Sequence, residues 1–134
     1  MNASRRVGWL RRILLVKVVL CLAVWGAPAL LASPALLEWF GLAVPEDPLY
    51  VRSFGALAVA MGVAYWFAYR DPIGNVAILR VGLVDNALAT LVVVSSALTR
   101  GLSSWFVALT GLLTAGFFVA FWRLMPQVPA TPKS

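Results

Sequence analysis

The stretch ILRVGLVDNALATL, residues 78–91, decides the fold, because it is as hydrophobic as a membrane span and yet contains three strongly polar residues. Arg80, Asp85 and Asn86 all lie within it. A charged group inside a bilayer costs several kcal/mol unless it reaches water or a partner. We therefore expect a helix packed against other helices, with its polar residues directed toward water or toward partners within a bundle.

The whole chain has the composition of an integral membrane protein. Of its 134 residues, 62% are hydrophobic and 12% are charged, whereas soluble domains are nearer half apolar and a quarter charged. A spanning helix needs ~20 mainly apolar residues, and four stretches are long enough: residues 13–32, 49–69, 78–98 and 104–123. The sequence predicts an all-α integral membrane four-helix bundle of up-down topology. Residues 1–125 form its single four-span transmembrane domain, and the proline-rich residues 126–134 form a disordered cytoplasmic tail.

Several kinds of chemistry are excluded by composition. The chain has no histidine and one cysteine, Cys21, so it lacks His-based metal sites, bis-His haem ligation and an internal disulfide. Its five acidic residues are not clustered at the helical spacing that an acidic metal site requires. We therefore expect no metal, no cofactor and no catalytic residues, and we interpret the protein as a non-enzyme.

The distribution of basic residues predicts the orientation in the membrane. The net charge is +6, and most positive side chains flank one side of the predicted spans: Arg5, Arg6, Arg11, Arg12, Lys17, Arg70, Arg80, Arg123 and Lys133. Only Arg52 and Arg100 fall on the other side. By the positive-inside rule, both termini of this multi-pass membrane protein are cytoplasmic. The bilayer is thus a partner and nucleic acid is not, although a lipid- or protein-binding role for the basic N-terminus stays an alternative.

Residues 1–32 also resemble a signal peptide, with a basic start, an apolar centre and an APA sequence near the end. Lys17 interrupts the apolar stretch and three further spans follow, so we favour a retained span over a cleaved one. Pro28 should kink its outer end, because proline removes a backbone hydrogen bond.

The loop after the first span predicts a short interfacial helix. Ser33 and Pro34 form an N-cap followed by proline at the first helical position, and Gly41 can end the turn. A plain connector with an aromatic anchor is one interpretation, and a lid over an opening between helices is the other. Ser103 or Ser104 can cap the fourth span in the same way.

Small residues form the predicted helix-packing faces. In the second span, Arg52 begins a stripe that continues at helical spacing. Small side chains let helices approach closely in lipid, so we assign packing to the small residues of spans two and three: Gly55, Ala58, Gly62, Gly82 and Ala89. Homodimerisation through the same faces is the alternative.

Depth along the spans suggests a partner for Asp85. Arg80 lies near the membrane boundary and can extend its side chain to water, whereas Asp85 lies roughly 7 Å deeper at the α-helical rise. Lys17 lies at the same depth in the first span. We therefore hypothesise a Lys17–Asp85 ion pair, with Asn86 hydrogen-bonding nearby. The alternative is that Lys17 reaches water separately and Asp85 is protonated or hydrated.

Aromatic residues crowd the cytoplasmic ends of spans two and four. Tyr65, Trp66 and Tyr69 are typical of an interfacial aromatic belt. A second set forms a wall that lipid or a quinone ring could contact: Phe117, Phe118, Phe121 and Trp122. For the first set a ligand cage is the alternative to the belt, and for the second set ordinary lipid-facing packing is the simpler interpretation.

The chain resembles the DoxX-like and BphX-like group of small four-helix bacterial membrane proteins. Over about residues 13–98 the similar features are Lys17, Arg52, Gly55, Gly62, Tyr65 and the RDP turn at 70–72. DoxX is associated with an oxidoreductase that passes electrons to quinone, so the resemblance implies at most an accessory membrane subunit. No catalytic role is carried over, because the chain lacks ligands for a redox metal.

Three functions follow from these features. The first is a non-catalytic accessory or scaffold subunit of a larger membrane complex, which requires a protein partner or a homo-oligomer. The second is a homo-oligomeric carrier or binder of a small apolar molecule, lipid, quinone or proton that uses Lys17 and Asp85. The third is a membrane enzyme with Asp85 as acid or base. The sequence favours the first.

Overall fold

Four long helices and one short helix make up the described part of the protein. A computed structural model describes residues 2–102 and 104–126, so residues 127–134 of the predicted tail and Ser103 lie outside the described part. The helices are α1 (Ala3–Leu31), α2 (Pro34–Trp39), α3 (Leu49–Arg70), α4 (Val76–Arg100) and α5 (Trp105–Leu124). All but α2 are long and apolar enough to cross a membrane. The prediction of an all-helical protein with four helices suited to span a membrane is therefore confirmed for the described residues, which contain no strand.

Helix α1 begins well before the predicted start of the first span. Its first turns contain arginines, two of which reach the ends of other helices. Arg6 donates to the carbonyl of Arg123 at the end of α5, and Arg11 donates at 3.3 Å to the carbonyl of Arg70 at the end of α3. The last carbonyls of a helix lack intrahelical partners and attract cations. These contacts place the start of α1 beside the ends of α3 and α5.

The middle of α1 is π-helical rather than α-helical. In Leu20–Gly26 the wider hydrogen-bonding pattern ends with the amide of Ala27, which donates to the carbonyl of Leu22 five residues earlier. The sequence predicts a kink at Pro28, and the structure places the irregular backbone just before it. Because a π-helix has more residues per turn than an α-helix, the buried face of Lys17 and Cys21 continues at Trp25.

Local capping defines the starts of α2 and α5 as the sequence predicts. The Ser33 side chain accepts from the amide of Leu36 at the start of α2, and Gly41 follows its end with a φ of 70°. The Ser104 side chain accepts from the amide of Val107 at the start of α5. These side-chain acceptors satisfy amides that have no partner within the first helical turn.

Helix α3 makes an extensive contact with α1 and a short contact with α4. Helix α1 packs along much of α3, and α4 packs along α5, whereas α3 and α4 touch over a short stretch. We call the contact of α1 with α3 at Gly26, Gly55 and Gly62 the closed seam. We call the interval between α3 and α4 beside Met61 and Asp85 the open seam. The candidate site lies where these two seams meet.

Candidate functional site

The Lys17 side chain lies inside the bundle, only 2% exposed. Its Nζ donates a 2.7 Å hydrogen bond to Oδ1 of Asn86, which is itself fully buried. Three aromatic rings surround the ammonium group: the centroid distances are 4.7 Å to Phe117, 4.8 Å to Trp25 and 5.6 Å to Tyr65. Aromatic faces attract cations most strongly where water is absent. The Lys17 amino group is therefore held between this aromatic cage and the Asn86 amide.

Small residues on α4 make room for the cage. A Cβ at Gly82 would lie 2.7 Å from the Tyr65 hydroxyl oxygen and 3.0 Å from the ring of Phe121. The absence of a side chain thus lets Tyr65 and Phe121 pack against α4. Asn86, one turn later, donates its Nδ2 hydrogen to the carbonyl of Gly82. That bond orients the amide so that its oxygen faces Lys17.

Asp85 lies at the edge of this cluster and not at its centre. It is exposed on the surface of the bundle, and its Oδ2 accepts a 3.4 Å hydrogen bond from the Tyr65 hydroxyl. The hypothesis of a direct Lys17–Asp85 pair is therefore wrong. The side chain that contacts Lys17 is Asn86, which occupies the position predicted for the Asp85 carboxylate. Successive residues differ by about 100° around an α-helix, and it is Asn86 that faces α1.

Lys17 and Asp85 nevertheless share one cavity, which we call the Lys17 cavity. Its volume is about 210 Å³, and α1, α3, α4 and α5 all contribute to its walls. Met61 and Leu57 of α3 line it, and Leu57 is 68% exposed. The cavity therefore opens through the open seam toward the surface where lipid chains would lie.

Hydroxyl groups complete the polar lining. Trp25 Nε1 donates to Thr110 Oγ1 at 3.2 Å, which fixes one ring of the cage to α5. Thr90 Oγ1 donates to Thr114 Oγ1 at 3.0 Å, joining α4 to α5 below the cavity. Thr110 and Thr114 both line the cavity, so they bring hydrogen-bonding groups to an otherwise apolar wall.

The other predicted residues are distributed around this centre. Arg52 and Arg80 are exposed and lie outside the cage, while Ala58 and Ala89 line the Lys17 cavity. The predicted aromatic belt is divided: Trp66 stacks on Tyr69 on the outside of the bundle, whereas Tyr65 is fully buried. The predicted aromatic wall is divided in the same way, since Phe117 and Phe121 are buried while Trp122 is 68% exposed.

Sequence reasoning missed Trp25 and the inward position of Tyr65. Trp25 follows Lys17 by eight residues, which leaves the two about 80° apart around a regular α-helix, and the π-helical segment between them brings both onto the buried face. The signal for Tyr65 is its spacing from Gly62 and Gly55, which share its buried face. In the sequence, neither residue differs from an ordinary packing residue. Their shared role appears only when the Lys17 ammonium is found between their rings.

Neither metal chemistry nor a known relative accounts for this arrangement. Among the described residues, no group of His, Cys, Asp or Glu side chains could hold a metal ion. No protein-family model, curated protein or solved structure matches the chain. The functional inference therefore rests on the Lys17 cavity.

Proposed function

We propose that the protein is a multi-pass protein of the bacterial cytoplasmic membrane, an up-down bundle with both termini cytoplasmic and α2 in the outer interface. The basic residues near the start of α1 and the ends of α3 and α5 support this orientation. Three acidic residues in the opposite loop support it further: Glu38, Glu46 and Asp47.

Within that membrane, the protein binds a small lipophilic molecule in the Lys17 cavity without acting as an enzyme. One observation carries this proposal: a buried lysine and a carboxylate line a cavity that opens laterally between two spans. Ionisable residues inside a membrane are costly, and they usually mark a functional site. Ligand sites are mostly apolar with a few convergent polar groups, and the Lys17 cavity has that character.

Purification in a mild detergent, followed by mass spectrometry of the extracted small molecules, tests the proposal. The wild-type protein should carry a lipophilic molecule near one-to-one stoichiometry, and Lys17→Met should lose most of it. Arg52→Met is the control, because it also removes a cation from a span but lies outside the cavity. Equal retention by Lys17→Met and wild type, in protein of unchanged dispersity, would contradict binding at Lys17.

A second function, that of an accessory or scaffold subunit, is favoured by a different observation. Asp85 and Arg80 line a groove on the outer surface of α4, where lipid alone would leave the carboxylate poorly solvated. A protein partner or a second copy of this chain would cover the groove. The resemblance to DoxX-like proteins is consistent with such a role.

Protein mass spectrometry of the same preparation distinguishes the two functions. A stoichiometric larger partner that Asp85→Leu releases would support the accessory subunit. A homo-oligomer or monomer that retains the lipophilic molecule would support the binder instead.

A further inference from the structure

A second cavity, which we call the outer cavity, lies beneath α2. Its volume is about 300 Å³, and none of its lining residues carries a charge. Leu37 of α2 and Phe40, which directly follows α2, form its cover, and both are at least nine-tenths buried. Val51 of α3 and Phe106 of α5 line it as well. Its chemistry suits a hydrocarbon chain and offers little to a polar group.

The outer cavity and the Lys17 cavity adjoin. Trp25 and Phe54 line both of them. Phe54 is 54% exposed, so its ring can move toward lipid, while Trp25 is tied to Thr110. The two cavities are therefore divided only by these side chains, and an outward movement of the Phe54 ring would join them into one elongated space with a polar end at Lys17 and an apolar end under α2.

The length of this space fits a single long chain. Lys17 lines the Lys17 cavity and Ala29 lines the outer cavity, and the twelve residues between these positions on α1 span at most about 18 Å at the α-helical rise of 1.5 Å per residue, less where Leu20–Gly26 is π-helical. The hydrocarbon core of a bilayer is about 30 Å thick and contains two layers of chains, so one chain extends roughly 15 Å. A long unbranched tail would fill the space from end to end.

The polar end favours a hydroxyl head group. The Lys17 ammonium is a donor without acceptor capacity, and an ionised Asp85 is an acceptor only. An anionic head would be repelled by Asp85, and a cationic head by Lys17. A hydroxyl oxygen can accept from Lys17 while its hydrogen is donated to Asp85, so one neutral head group can hydrogen-bond to both residues in addition to their contacts with Asn86 and Tyr65.

We propose that the bound molecule is a single-chain alcohol whose hydroxyl lies between Lys17 and Asp85 and whose hydrocarbon tail occupies the outer cavity. This inference rests on the proposed function and adds the class of the ligand and the position of its tail. It also gives α2 a role, since the helix covers the tail.

Native mass spectrometry of the purified full-length protein tests the proposal with octanol and hexadecanol as probes. Val51→Trp fills the outer cavity, and Val63→Trp makes the same change on the exposed side of the same helix. Each alcohol partitions into the detergent to the same extent in both samples. The difference between the two variants therefore reports binding to the protein alone. Val51→Trp should lower hexadecanol occupancy roughly tenfold relative to Val63→Trp, because tail methylenes lose their buried site. Octanol occupancy should change by less than about twofold, since its short chain stays near the head group.

Three other results would each contradict one part of the proposal. Equal hexadecanol binding by Val51→Trp and Val63→Trp would show that the tail does not bind in the outer cavity. The proposed function would survive that result if Lys17→Met still loses octanol. Octanol binding that Lys17→Met does not weaken would instead overturn the head position and the proposed function together. Tighter binding of palmitate or hexadecylamine than of hexadecanol would overturn the hydroxyl assignment.

A second pair of variants covers the possibility that Val51→Trp does not fold, as judged by size-exclusion chromatography. Val24→Phe places a ring in the outer cavity from α1, and Val19→Phe places it on the exposed face of the same helix. The same loss of hexadecanol relative to octanol is expected for Val24→Phe. An unchanged ratio would refute the tail position.

Discussion

Helix α3 meets its two neighbours in opposite ways. In the closed seam, a Cβ at Gly55 would lie 2.5 Å from the backbone nitrogen of Leu30, so no space remains between α1 and α3. In the open seam, the Lys17 cavity of about 210 Å³ separates α3 from α4. The comparison shows that small residues close a seam because they let backbones approach. In the open seam, the hydrogen bond from Tyr65 to Asp85 joins α3 to α4 without closing the space between them.

The largest expected effect comes from breaking the polar contact beside the open seam. Asn86→Leu keeps the approximate volume but leaves the Lys17 ammonium without its 2.7 Å acceptor. A buried charged group that loses its partner costs about 2–3 kcal/mol. We expect the free energy of unfolding, measured by SDS titration in mixed micelles, to fall by about this amount.

A double-mutant cycle shows whether the lost unfolding free energy comes from the hydrogen bond between Lys17 and Asn86. Lys17→Met combined with Asn86→Leu should destabilise by clearly less than the sum of the single changes, because either one alone removes the same hydrogen bond. Additive effects would mean that Lys17 and Asn86 stabilise the bundle independently.

The next effect comes from forcing the closed seam apart. Gly55→Ala introduces a Cβ against backbone atoms of Leu30 and Ala29, which cannot move aside as a flexible side chain could. Overpacking of this kind costs typically about 1–3 kcal/mol. Gly116→Ala is the matched control, since nothing lies within 4 Å of a Cβ there. The same unfolding titration should show destabilisation for Gly55→Ala alone, and equal stability of the two variants would break the comparison between the seams.

The smallest effect concerns Tyr65, where the seams meet. Tyr65→Phe keeps the ring near Lys17 and removes the 3.4 Å hydrogen bond to Asp85. Interhelical hydrogen bonds in membranes contribute about 0.6 kcal/mol on average, so we expect destabilisation of about that size. Tyr69→Phe, which removes a hydroxyl outside the cage, should have no measurable effect. A loss above about 2 kcal/mol for Tyr65→Phe would indicate that the hydroxyl holds the open seam.

Residue spacing was enough to find the spans and several of their ends. Hydrophobic length gives four spans because backbone groups in lipid must be satisfied within each helix. Ser33 and Ser104 were predictable as caps because capping depends on neighbours within one turn. The extension of α1 back to Ala3 was missed, since it depends on carbonyls of Arg70 and Arg123 far along the chain.

The sequence by itself determined that this is an all-helical membrane protein with Lys17, Asp85 and Asn86 within its spans. Only the tertiary structure decided that Asn86, and not Asp85, meets Lys17, and that Tyr65 joins the cage. The physical reason is rotation about the helix axes. Depth follows from residue number and rise, but the direction that a side chain faces depends on the glycine contacts of α3 and on the π-helical turn of α1.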